Sequence, residues 1–333
     1  MEENKIYTII YKNQSLKTKH YKQISDDYRE KIKIDFYKLP SEAELKNNLD
    51  CIFYRNGVKI DKYTRFYFHS LMTEVQCTDA KWTVKDVFDN NELLGLFISK
   101  VENSPKTFDF EKPMWKNIER SIALGGKGYV RMPTQFPLKS ADYILKKYNF
   151  NNNYFDFSCG WGSRLLSSFK NNVNYYGVDP NFKLVEKLKE ATNFIKENYN
   201  KDNIVDIRCQ GSEILIPEYI DKFGLAFSSP PYYDLEDYKY GNQSFKGQSY
   251  EEWKNDYLFK TFMNVKQYLV NNGYLVISIK DIKNYPIATD SLNFLENKDF
   301  KLIESFPIKN NKRIKSTGEL NTKEELIYVF RKE

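Results

Sequence analysis

Cysteine and histidine are scarce in this chain, which has 4 cysteines and 2 histidines among 333 residues. The cysteines (Cys51, Cys77, Cys159 and Cys209) are far apart and form no Cys-x-x-Cys pair. Zinc sites and disulfide frameworks both depend on characteristic cysteine or histidine spacings. We therefore expect neither a metal site nor a set of disulfides, and this cysteine usage is typical of a reducing, cytoplasmic environment.

Long apolar runs are also missing. No stretch approaches the roughly 20 apolar residues of a transmembrane helix, and residues 1–14 (MEENKIYTIIYKNQ) lack the pattern of a signal peptide. We expect a soluble, unexported protein of bacterial or viral origin without a membrane partner. The net charge is +6, and a mild basic excess of this kind permits a nucleic-acid partner without requiring one.

The first part of the chain mixes short strand-like runs with turn signals. The runs are IYTIIY, CIFYRNGVKI and YTRFYFHSL, and Asn56-Gly57 is a typical turn pair. We interpret residues 1–125 as an α+β region, and residues 126–333 as a second domain that begins in a Gly-Gly-Lys-Gly loop. Basic and aromatic residues are interleaved in 62–67 (KYTRFY), but a sheet with alternating faces explains this pattern equally well.

After this loop, helical and strand-like segments alternate. The predicted strands are YFDFS, NYYGVD, NIVDIRC, FGLAFS, GYLVISIK, KLIESFPIK and ELIYVFRK. Strands that alternate with helices form a parallel sheet covered on both faces, and the last two runs predict an antiparallel hairpin. The predicted fold class is therefore α/β, a doubly wound, mostly parallel, seven-stranded Rossmann-like sheet with an α+β N-terminal region.

The ends of the first two predicted strands carry candidate ligand-binding residues, because such sheets bind ligands at the carboxyl ends of their strands. The first strand leads into Asp156-Phe157-Ser158-Cys159-Gly160-Trp161-Gly162. Its glycines permit a tight turn and a close approach to a ligand, although an ordinary strand-to-helix turn also fits. The second strand ends at Asp179, which is suited to accept ribose hydroxyls. Because Pro180 follows, Asp179 fits a helix N-cap equally well.

The fourth strand ends in Ser229-Pro230-Pro231-Tyr232. The prolines lack N–H groups and fix φ, so the chain leaves the sheet rigidly. The Ser229 hydroxyl and a carbonyl of the proline segment are suited to accept both hydrogens of an exocyclic amino group, which localises its lone pair. Tyr232 offers a face on which an extruded base can stack. Taken alone, the motif also fits a rigid loop in which Tyr232 and Tyr233 are packing residues.

Together these motifs resemble those of the class I S-adenosylmethionine-dependent methyltransferases, specifically the DNA methyltransferases that modify exocyclic amino groups. The resemblance covers roughly residues 130–333. It implies a methyltransferase sheet in which Asp156, Ser158, Gly160 and Gly162 hold the methionine part of the cofactor, Asp179 binds its ribose, and Ser212 lies near its adenine. Met132–Pro137 is similar to an additional cofactor motif and adds Phe136 and Pro137. The implied catalytic residues are Ser229, Pro230, Pro231 and Tyr232.

The target base is open between cytosine N4 and adenine N6. A serine at the start of the catalytic motif is most frequent in the cytosine-N4 enzymes, which more commonly have the opposite motif order, so the serine alone favours cytosine. Phe157, Cys159 and Trp161 depart from the family's first motif. The fourth strand ends in Pro-Tyr rather than the Pro-Cys pair of C5-methylating enzymes, so we expect no covalent intermediate on cysteine.

The predicted function is transfer of a methyl group from S-adenosylmethionine to a base flipped out of double-stranded DNA. In this prediction residues 126–333 are the catalytic domain, and residues 1–125 recognise the DNA target. Lys309, Lys312, Arg313 and Lys315 are candidate contacts to phosphates, although basic runs are often solvated surfaces. The alternatives are methylation of RNA bases or of a protein glutamine amide, or a catalytically silent, nucleic-acid-binding subunit. The recognition sequence, a partner nuclease and the oligomeric state stay open.

Overall fold

The chain forms two compact units. The computed structural model describes residues 7–12, 14–19, 21–104, 108–241, 243–244, 246–282, 284–308 and 325–333. The helical unit consists of the described residues of Met1–Pro40, His69–Thr134 and Leu235–Lys239. The sheet unit consists of those of Ser41–Phe68, Gln135–Asp234 and Tyr240–Glu333.

The secondary structure is as follows. The strands are β1 (Tyr7–Tyr11), β2 (Gln14–Thr18), β3 (Gln76–Cys77), β4 (Asn153–Asp156), β5 (Asn174–Val178), β6 (Val205–Arg208), β7 (Phe223–Ser228), β8 (Glu236–Asp237), β9 (Leu269–Ile279), β10 (Phe300–Pro307) and β11 (Leu326–Lys332). The helices are α1 (Asp26–Tyr37), α2 (Glu42–Tyr54), α3 (Asp61–Tyr67), α4 (His69–Glu74), α5 (Val84–Asp89), α6 (Asn91–Glu102), α7 (Met114–Ala123), α8 (Leu138–Tyr148), α9 (Ser163–Lys170), α10 (Phe182–Tyr199), α11 (Tyr250–Trp253), α12 (Phe259–Tyr268) and α13 (Ile287–Glu296). Short 3₁₀ turns lie at Gly126–Gly128 and Pro217–Tyr219, and a π-helical segment lies at Lys254–Leu258.

The helical unit packs its helices around one apolar core. Phe36 of α1, Phe88 of α5, Phe97 of α6 and Ile118 of α7 are buried together there. Phe36 and Phe88 stack with their ring centroids 4.3 Å apart. β1 and β2 form an antiparallel hairpin, which confirms the predicted strand in IYTIIY, and β3 pairs with β8.

The other two strand-like runs contain no strand, so the prediction of strands there was wrong. CIFYRNGVKI begins within α2, and YTRFYFHSL extends over α3 and α4. α2 begins with a capping box between Ser41 and Glu44 and buries Leu45, Leu49 and Ile52. This spacing is the helical period, and it begins upstream of the aromatic and β-branched residues that suggested a strand. α2 and α3 belong to the sheet unit, so the two units alternate along the chain instead of meeting between residues 125 and 126.

The sheet unit is built on a seven-stranded sheet in the order β10-β11-β9-β7-β4-β5-β6. β4 pairs in parallel with β5 and with β7, β5 with β6, and β7 with β9. β11 runs antiparallel to both β9 and β10. The predicted doubly wound, mostly parallel sheet and its closing antiparallel strands are therefore confirmed.

Helices cover both sides of this sheet. Phe262 of α12 and Leu295 of α13 lie in a buried cluster with Ala226 of β7 and Leu275 of β9. α8 packs against β7, and α9 packs against β5. Every residue of β7 is buried, as expected for a central parallel strand. In the part of the chain that the structure describes, no helix has the length and apolar character that a membrane span requires.

Candidate active site

The candidate site lies at the carboxyl edge of the sheet, where β4, β5 and β7 end side by side. β5 and β7 flank β4, and all three strands are parallel. The chain continues from β5 to β6 on one side of β4 and returns to the other side with β7. The crevice between β4 and β7 is thus a topological switch point, which is the usual place for a ligand in a doubly wound sheet.

Asp156, the last residue of β4, is fully buried, and its carboxylate accepts hydrogen bonds from other residues of the protein. Its Oδ2 accepts hydrogen bonds from Arg164 Nε and from the Tyr175 hydroxyl, both at 2.9 Å, and its Oδ1 accepts one from the Ser158 N–H at 3.3 Å. Burial acts to lower the pKa of Arg164, but the combined effects of Asp156, Tyr154 and Tyr175 outweigh burial, and this pKa lies above its usual value. Through its bond to Ser158, Asp156 stabilises the glycine loop. Its direct contact with a cofactor stays a prediction.

The two glycines of the loop have left-handed backbone conformations, with φ of +55° at Gly160 and +76° at Gly162. The Gly162 N–H donates to the Gly160 carbonyl at 3.0 Å, and Gly162 is the N-cap of α9. A Cβ at residue 162 would lie 2.8 Å from the Tyr63 hydroxyl and 3.0 Å from the Phe68 ring. Both the conformation and the close packing therefore require glycine at 162.

Asp179, just after β5, is partly exposed, and each of its carboxylate oxygens accepts a backbone N–H. Oδ2 accepts from Gly160 at 3.4 Å and Oδ1 from Asn181 at 3.0 Å. The N-cap of α10 is Asn181, whose side chain accepts from the Leu184 N–H. The alternative that Asp179 caps this helix is therefore wrong. Burial raises the pKa of Asp179 to about 6, against the lowering effect of the two backbone hydrogen bonds.

The turn after β6 contains Ser212 and Glu213. The Ser212 hydroxyl is buried and lies 2.8 Å from the Thr261 hydroxyl, within hydrogen-bond distance. The Glu213 carboxylate folds back over Gly211 into the space that a Cβ at residue 211 would occupy. Glu213 Oε2 is buried without a hydrogen-bond partner among the described residues. Burying a carboxylate oxygen without a hydrogen bond is unfavourable in free energy. Glu213 is therefore suited to a ligand that donates an N–H or O–H group. Ser212 stays a predicted neighbour of adenine.

The π-helical segment Lys254–Leu258 brings Tyr257 to the glycine loop. The Tyr257 hydroxyl lies 3.4 Å from Ser158 Oγ, and its ring contacts Trp253 with the centroids 5.8 Å apart. Burial raises the pKa of Tyr257 to about 12, so this hydroxyl keeps its proton at neutral pH. π-helical turns occur frequently at functional sites.

The end of β7 presents two serines with different surroundings. Ser228 is fully buried, and its hydroxyl donates to the Ser158 carbonyl at 3.2 Å. Ser229 is half-buried, and its hydroxyl donates to the backbone carbonyl of Ser278 in β9 at 3.0 Å. A serine hydroxyl has one proton and two lone pairs, so this bond leaves Ser229 as an acceptor toward any further partner. Pro230 and Pro231 follow and have no N–H to offer.

Tyr232 and Tyr233 differ in burial. Tyr233 has a φ of +48°, its ring contacts Trp253 and Tyr285, and its hydroxyl donates to the Gln248 carbonyl at 2.6 Å. Tyr233 is thus a packing residue. Tyr232 packs against the same buried cluster but is half-exposed, so part of its surface remains accessible.

The segment Gln135–Pro137 supports the glycine loop from outside. The Gln135 amide donates to the Trp161 carbonyl at 2.6 Å, and the Phe136 carbonyl accepts from the Ser163 hydroxyl at 2.6 Å. Pro137 lies immediately before α8. Phe136 is therefore next to the end of the loop, and contact of Phe136 and Pro137 with a cofactor stays a prediction.

Cys159 lies within the glycine loop but is buried and has no nucleophilic character. Burial, followed by the charge of Asp156, raises the pKa of this thiol far above its usual value. A thiol is nucleophilic only as the thiolate, so a role for Cys159 in covalent catalysis is not supported. Among the residues that the structure describes, no group of three or more His, Cys, Asp and Glu side chains is arranged to hold a metal ion.

The predicted phosphate contacts cannot be placed. Lys309, Lys312, Arg313 and Lys315 all lie outside the described residues. Their role on nucleic acid stays a prediction.

Three residues of the site were missed by sequence reasoning, namely Arg164, Glu213 and Tyr257. Arg164 is eight positions after its partner Asp156 and directly follows the glycine loop, so its position gave a signal. Glu213 adjoins the predicted Ser212. Tyr257 gave no signal, because 99 positions separate it from Ser158.

Comparison with protein-family models gives no match, and no curated protein matches the sequence. Among solved structures, the cyclase SpnF is similar with a TM-score of 0.38 and 14% identity, and the match spans 51% of this chain and 59% of SpnF. An S-adenosylmethionine-dependent methyltransferase from Clostridium acetobutylicum ATCC 824 has a TM-score of 0.42 and 14% identity, over 60% of this chain and 92% of that one. An rRNA methylase from Streptococcus thermophilus has a TM-score of 0.38 and 13% identity, over 61% and 99%. Similarity at this level concerns the fold alone.

Proposed function

We propose that this protein is an S-adenosylmethionine-dependent methyltransferase that modifies the exocyclic amino group of a base in double-stranded DNA, with cytosine N4 favoured over adenine N6. The observation that carries the proposal is the hydrogen bond from the Ser229 hydroxyl to the Ser278 carbonyl, at 3.0 Å. This bond uses the only proton of the hydroxyl. Ser229 then offers lone pairs, which suit a substrate N–H, at the switch point of the sheet.

The residues around the glycine loop fit the cofactor. Asp179 is a partly exposed carboxylate at a strand end, held in place by the N–H groups of Gly160 and Asn181, and it suits the two hydroxyls of a ribose. The buried Oε2 of Glu213 has no partner among the described residues, and it suits an N–H or O–H of a nucleoside. Gly160 and Gly162 permit a close approach of the methionine part. The bound cofactor would supply an electrophilic methyl group.

The protein itself positions and activates the amine. The lone pair of an exocyclic amino group is delocalised into the base, so the nitrogen is a weak nucleophile. Accepting its N–H at Ser229 holds the nitrogen in a geometry that localises the lone pair toward the methyl group. The methyl carbon would leave the sulfonium sulfur as the nitrogen bonds to it, and the nitrogen would then be acidic enough for water to accept its proton without a strong base. Tyr232, which keeps an accessible surface, can stack on the base.

DNA is proposed as the substrate for two reasons. Ser229-Pro230-Pro231-Tyr232 resembles the catalytic motif of DNA amino-methyltransferases, and the net charge is +6. A basic surface attracts the phosphates of nucleic acid in general. The segment Ser229–Tyr232 (the clamp) also suits the planar amide of glutamine or a base in RNA, and measurement of modified nucleosides distinguishes DNA from RNA as the substrate.

The test is mass spectrometry of nucleosides from both DNA and RNA of cells that express the intact protein or its Ser229→Ala variant. A Ser291→Ala variant is the matched control, because the Ser291 hydroxyl also donates to a backbone carbonyl, that of Ile287 at 2.7 Å, but lies in α13. We expect N4-methylcytosine or N6-methyladenine in DNA with the intact protein and with Ser291→Ala, and a loss of the modified base with Ser229→Ala.

Each other result contradicts part of the proposal. A modified base found only in RNA would replace DNA by RNA as the substrate. If neither nucleic acid is modified although the purified protein binds S-adenosylmethionine, the nucleic-acid proposal is wrong. If the protein does not bind the cofactor, the methyltransferase proposal is wrong as well.

A further inference from the structure

Arg164, in the first turn of α9, connects the segments that carry the two halves of the candidate site. Its Nε donates to Asp156 Oδ2 at 2.9 Å, and its Nη2 donates to the Ser158 carbonyl in the glycine loop. The same Nη2 lies 3.3 Å from Ser228 Oγ, at the end of β7. One planar guanidinium therefore contacts the end of β4, the glycine loop, and the end of β7, which leads into the clamp.

These contacts begin where the backbone pairing of the two strands ends. The parallel register of β4 and β7 extends only over Tyr154↔Leu225 and Phe155↔Ala226. Beyond it, side chains join the two strands: the Tyr154 hydroxyl donates to the Phe227 carbonyl at 2.8 Å. Ser228 and Arg164 extend this side-chain link to the ends of both strands.

Aromatic rings also hold the guanidinium in place. Arg164 lies 5.7 Å from the ring centroid of Phe136 and 5.8 Å from that of Phe227. Arg164 is almost fully buried, at 5% exposure. A planar guanidinium can donate in several fixed directions and contact rings at once, which a lysine ammonium cannot reproduce.

We propose that Arg164 is a positioning residue that sets the distance between the methyl donor and the amine acceptor. The inference rests on the proposed function. In this arrangement Arg164 contacts neither substrate nor cofactor, and it acts through Ser158 on the cofactor side and through Ser228 on the clamp side. Methyl transfer by direct displacement is sensitive to this distance, and a misplacement of about 1 Å costs roughly 100-fold in rate.

The experiment compares Arg164→Lys and Ser228→Ala with the intact protein. The single-turnover rate of methyl transfer is measured with isotopically labelled S-adenosylmethionine and unmethylated genomic DNA of mixed sequence, and the cofactor Kd is measured by calorimetry. Lys170→Gln is the matched control. It breaks a second buried ion pair on the same helix, Lys170 Nζ to Asp142 Oδ2 at 2.7 Å, away from the strand ends.

We expect Arg164→Lys to lower the single-turnover rate about 100-fold while the cofactor Kd changes less than about threefold. Ser228→Ala should lower the rate about tenfold, and the double variant should be no slower than Arg164→Lys, since the two residues act through one link. Lys170→Gln should lower the thermal unfolding midpoint but leave the rate unchanged.

Three results would contradict the inference. If the folded Arg164→Lys and Ser228→Ala proteins both keep the rate within about threefold of the intact protein, Arg164 does not position the reacting groups. If Lys170→Gln loses rate to the same extent, the rate follows stability instead of position. If the intact protein transfers no methyl group to DNA, the proposed function itself fails, and this result is distinct from the other two.

Discussion

The hydroxyl oxygen of Tyr63 lies 2.8 Å from the position that a Cβ at Gly162 would occupy. Tyr63 is fully buried, and its hydroxyl has no hydrogen-bond partner among the described residues. Its neighbour Thr64 bonds to Gln135, whose amide donates to the Trp161 carbonyl of the glycine loop. A helix from the first quarter of the chain therefore packs directly on the candidate cofactor loop.

Substituting Gly162 by alanine should destabilise the protein. The left-handed φ of +76° is unfavourable for alanine, and the added methyl group would overlap Tyr63 and Phe68. We expect the free energy of unfolding to fall by about 2–4 kcal/mol, from the conformational cost and the overpacking together. Urea unfolding followed by circular dichroism measures this loss.

Two variants separate the causes. Gly247 has a φ of +77° but open space around it, so Gly247→Ala should cost only about 1 kcal/mol. Tyr63→Phe removes a buried hydroxyl without a partner, so it should be neutral or stabilising alone and should partly restore Gly162→Ala. Equal losses for Gly162→Ala and Gly247→Ala would mean that Tyr63 does not restrict residue 162.

Much of the sheet was predictable because strand-like runs and helical segments alternate along residues 138–279. In β7 the run FGLAFS is buried throughout, and the two prolines that follow it mark its end. The location of Asp179 and Ser229 at the edge of the sheet was predictable for the same reason, since each polar residue directly follows a strand.

The rest depends on contacts between distant segments. The sequence offered two roles for Asp179. The position of Asn181 as the helix N-cap excludes the capping role, and ribose binding stays a prediction. Asp156 was predicted at the cofactor, but its carboxylate is buried under Arg164, and burial cannot be deduced from its spacing to the glycines. The C-terminal end of α2 was mistaken for the start of a strand, because its aromatic and β-branched residues are typical of strands.

Ser229→Ala should slow methyl transfer without weakening cofactor binding. The variant loses the acceptor for the substrate N–H and the anchor to the Ser278 carbonyl, both on the clamp side. We expect a fall in turnover of about 100-fold, comparable to the loss of one preorganised hydrogen bond in other active sites. Tyr232→Ala should also lower turnover, because the flipped base loses the ring on which it stacks. Steady-state kinetics with calorimetric cofactor Kd values measures both effects, and undiminished turnover of Ser229→Ala would refute the clamp.

Cys159 should be inert toward alkylation in the folded protein. Its thiol is buried with a raised pKa, and Cys77 is likewise buried with a pKa raised to about 12, whereas Cys209 is exposed. Brief treatment with iodoacetamide followed by peptide mass spectrometry should find Cys209 modified and Cys159 unmodified. Cys159→Ala should retain methyl transfer. Loss of transfer in a folded, cofactor-binding Cys159→Ala protein would reopen a covalent role for this thiol.

Cofactor binding should weaken in mild acid because of Asp179. Burial raises the pKa of this carboxyl to about 6, so a fall in pH through this value protonates it and removes acceptor capacity for the ribose hydroxyls. We expect the cofactor Kd to be constant well above pH 6 and to rise below it by up to about tenfold per pH unit. Calorimetry between pH 5 and about pH 8 measures the profile.

The Asp179→Asn variant separates this carboxyl from other groups that titrate in the same range. It should bind the cofactor more weakly than the intact protein at neutral pH and show little dependence on pH. The raised pKa also means that the folded state binds this proton more tightly than the unfolded state does. The contribution of Asp179 to the free energy of unfolding should therefore decrease as the pH rises from its ordinary pKa of 3.8 to about 6, and Asp179→Asn should remove that decrease. An Asp179→Asn protein with the same acid-dependent Kd as the intact protein would show that Asp179 does not bind the ribose.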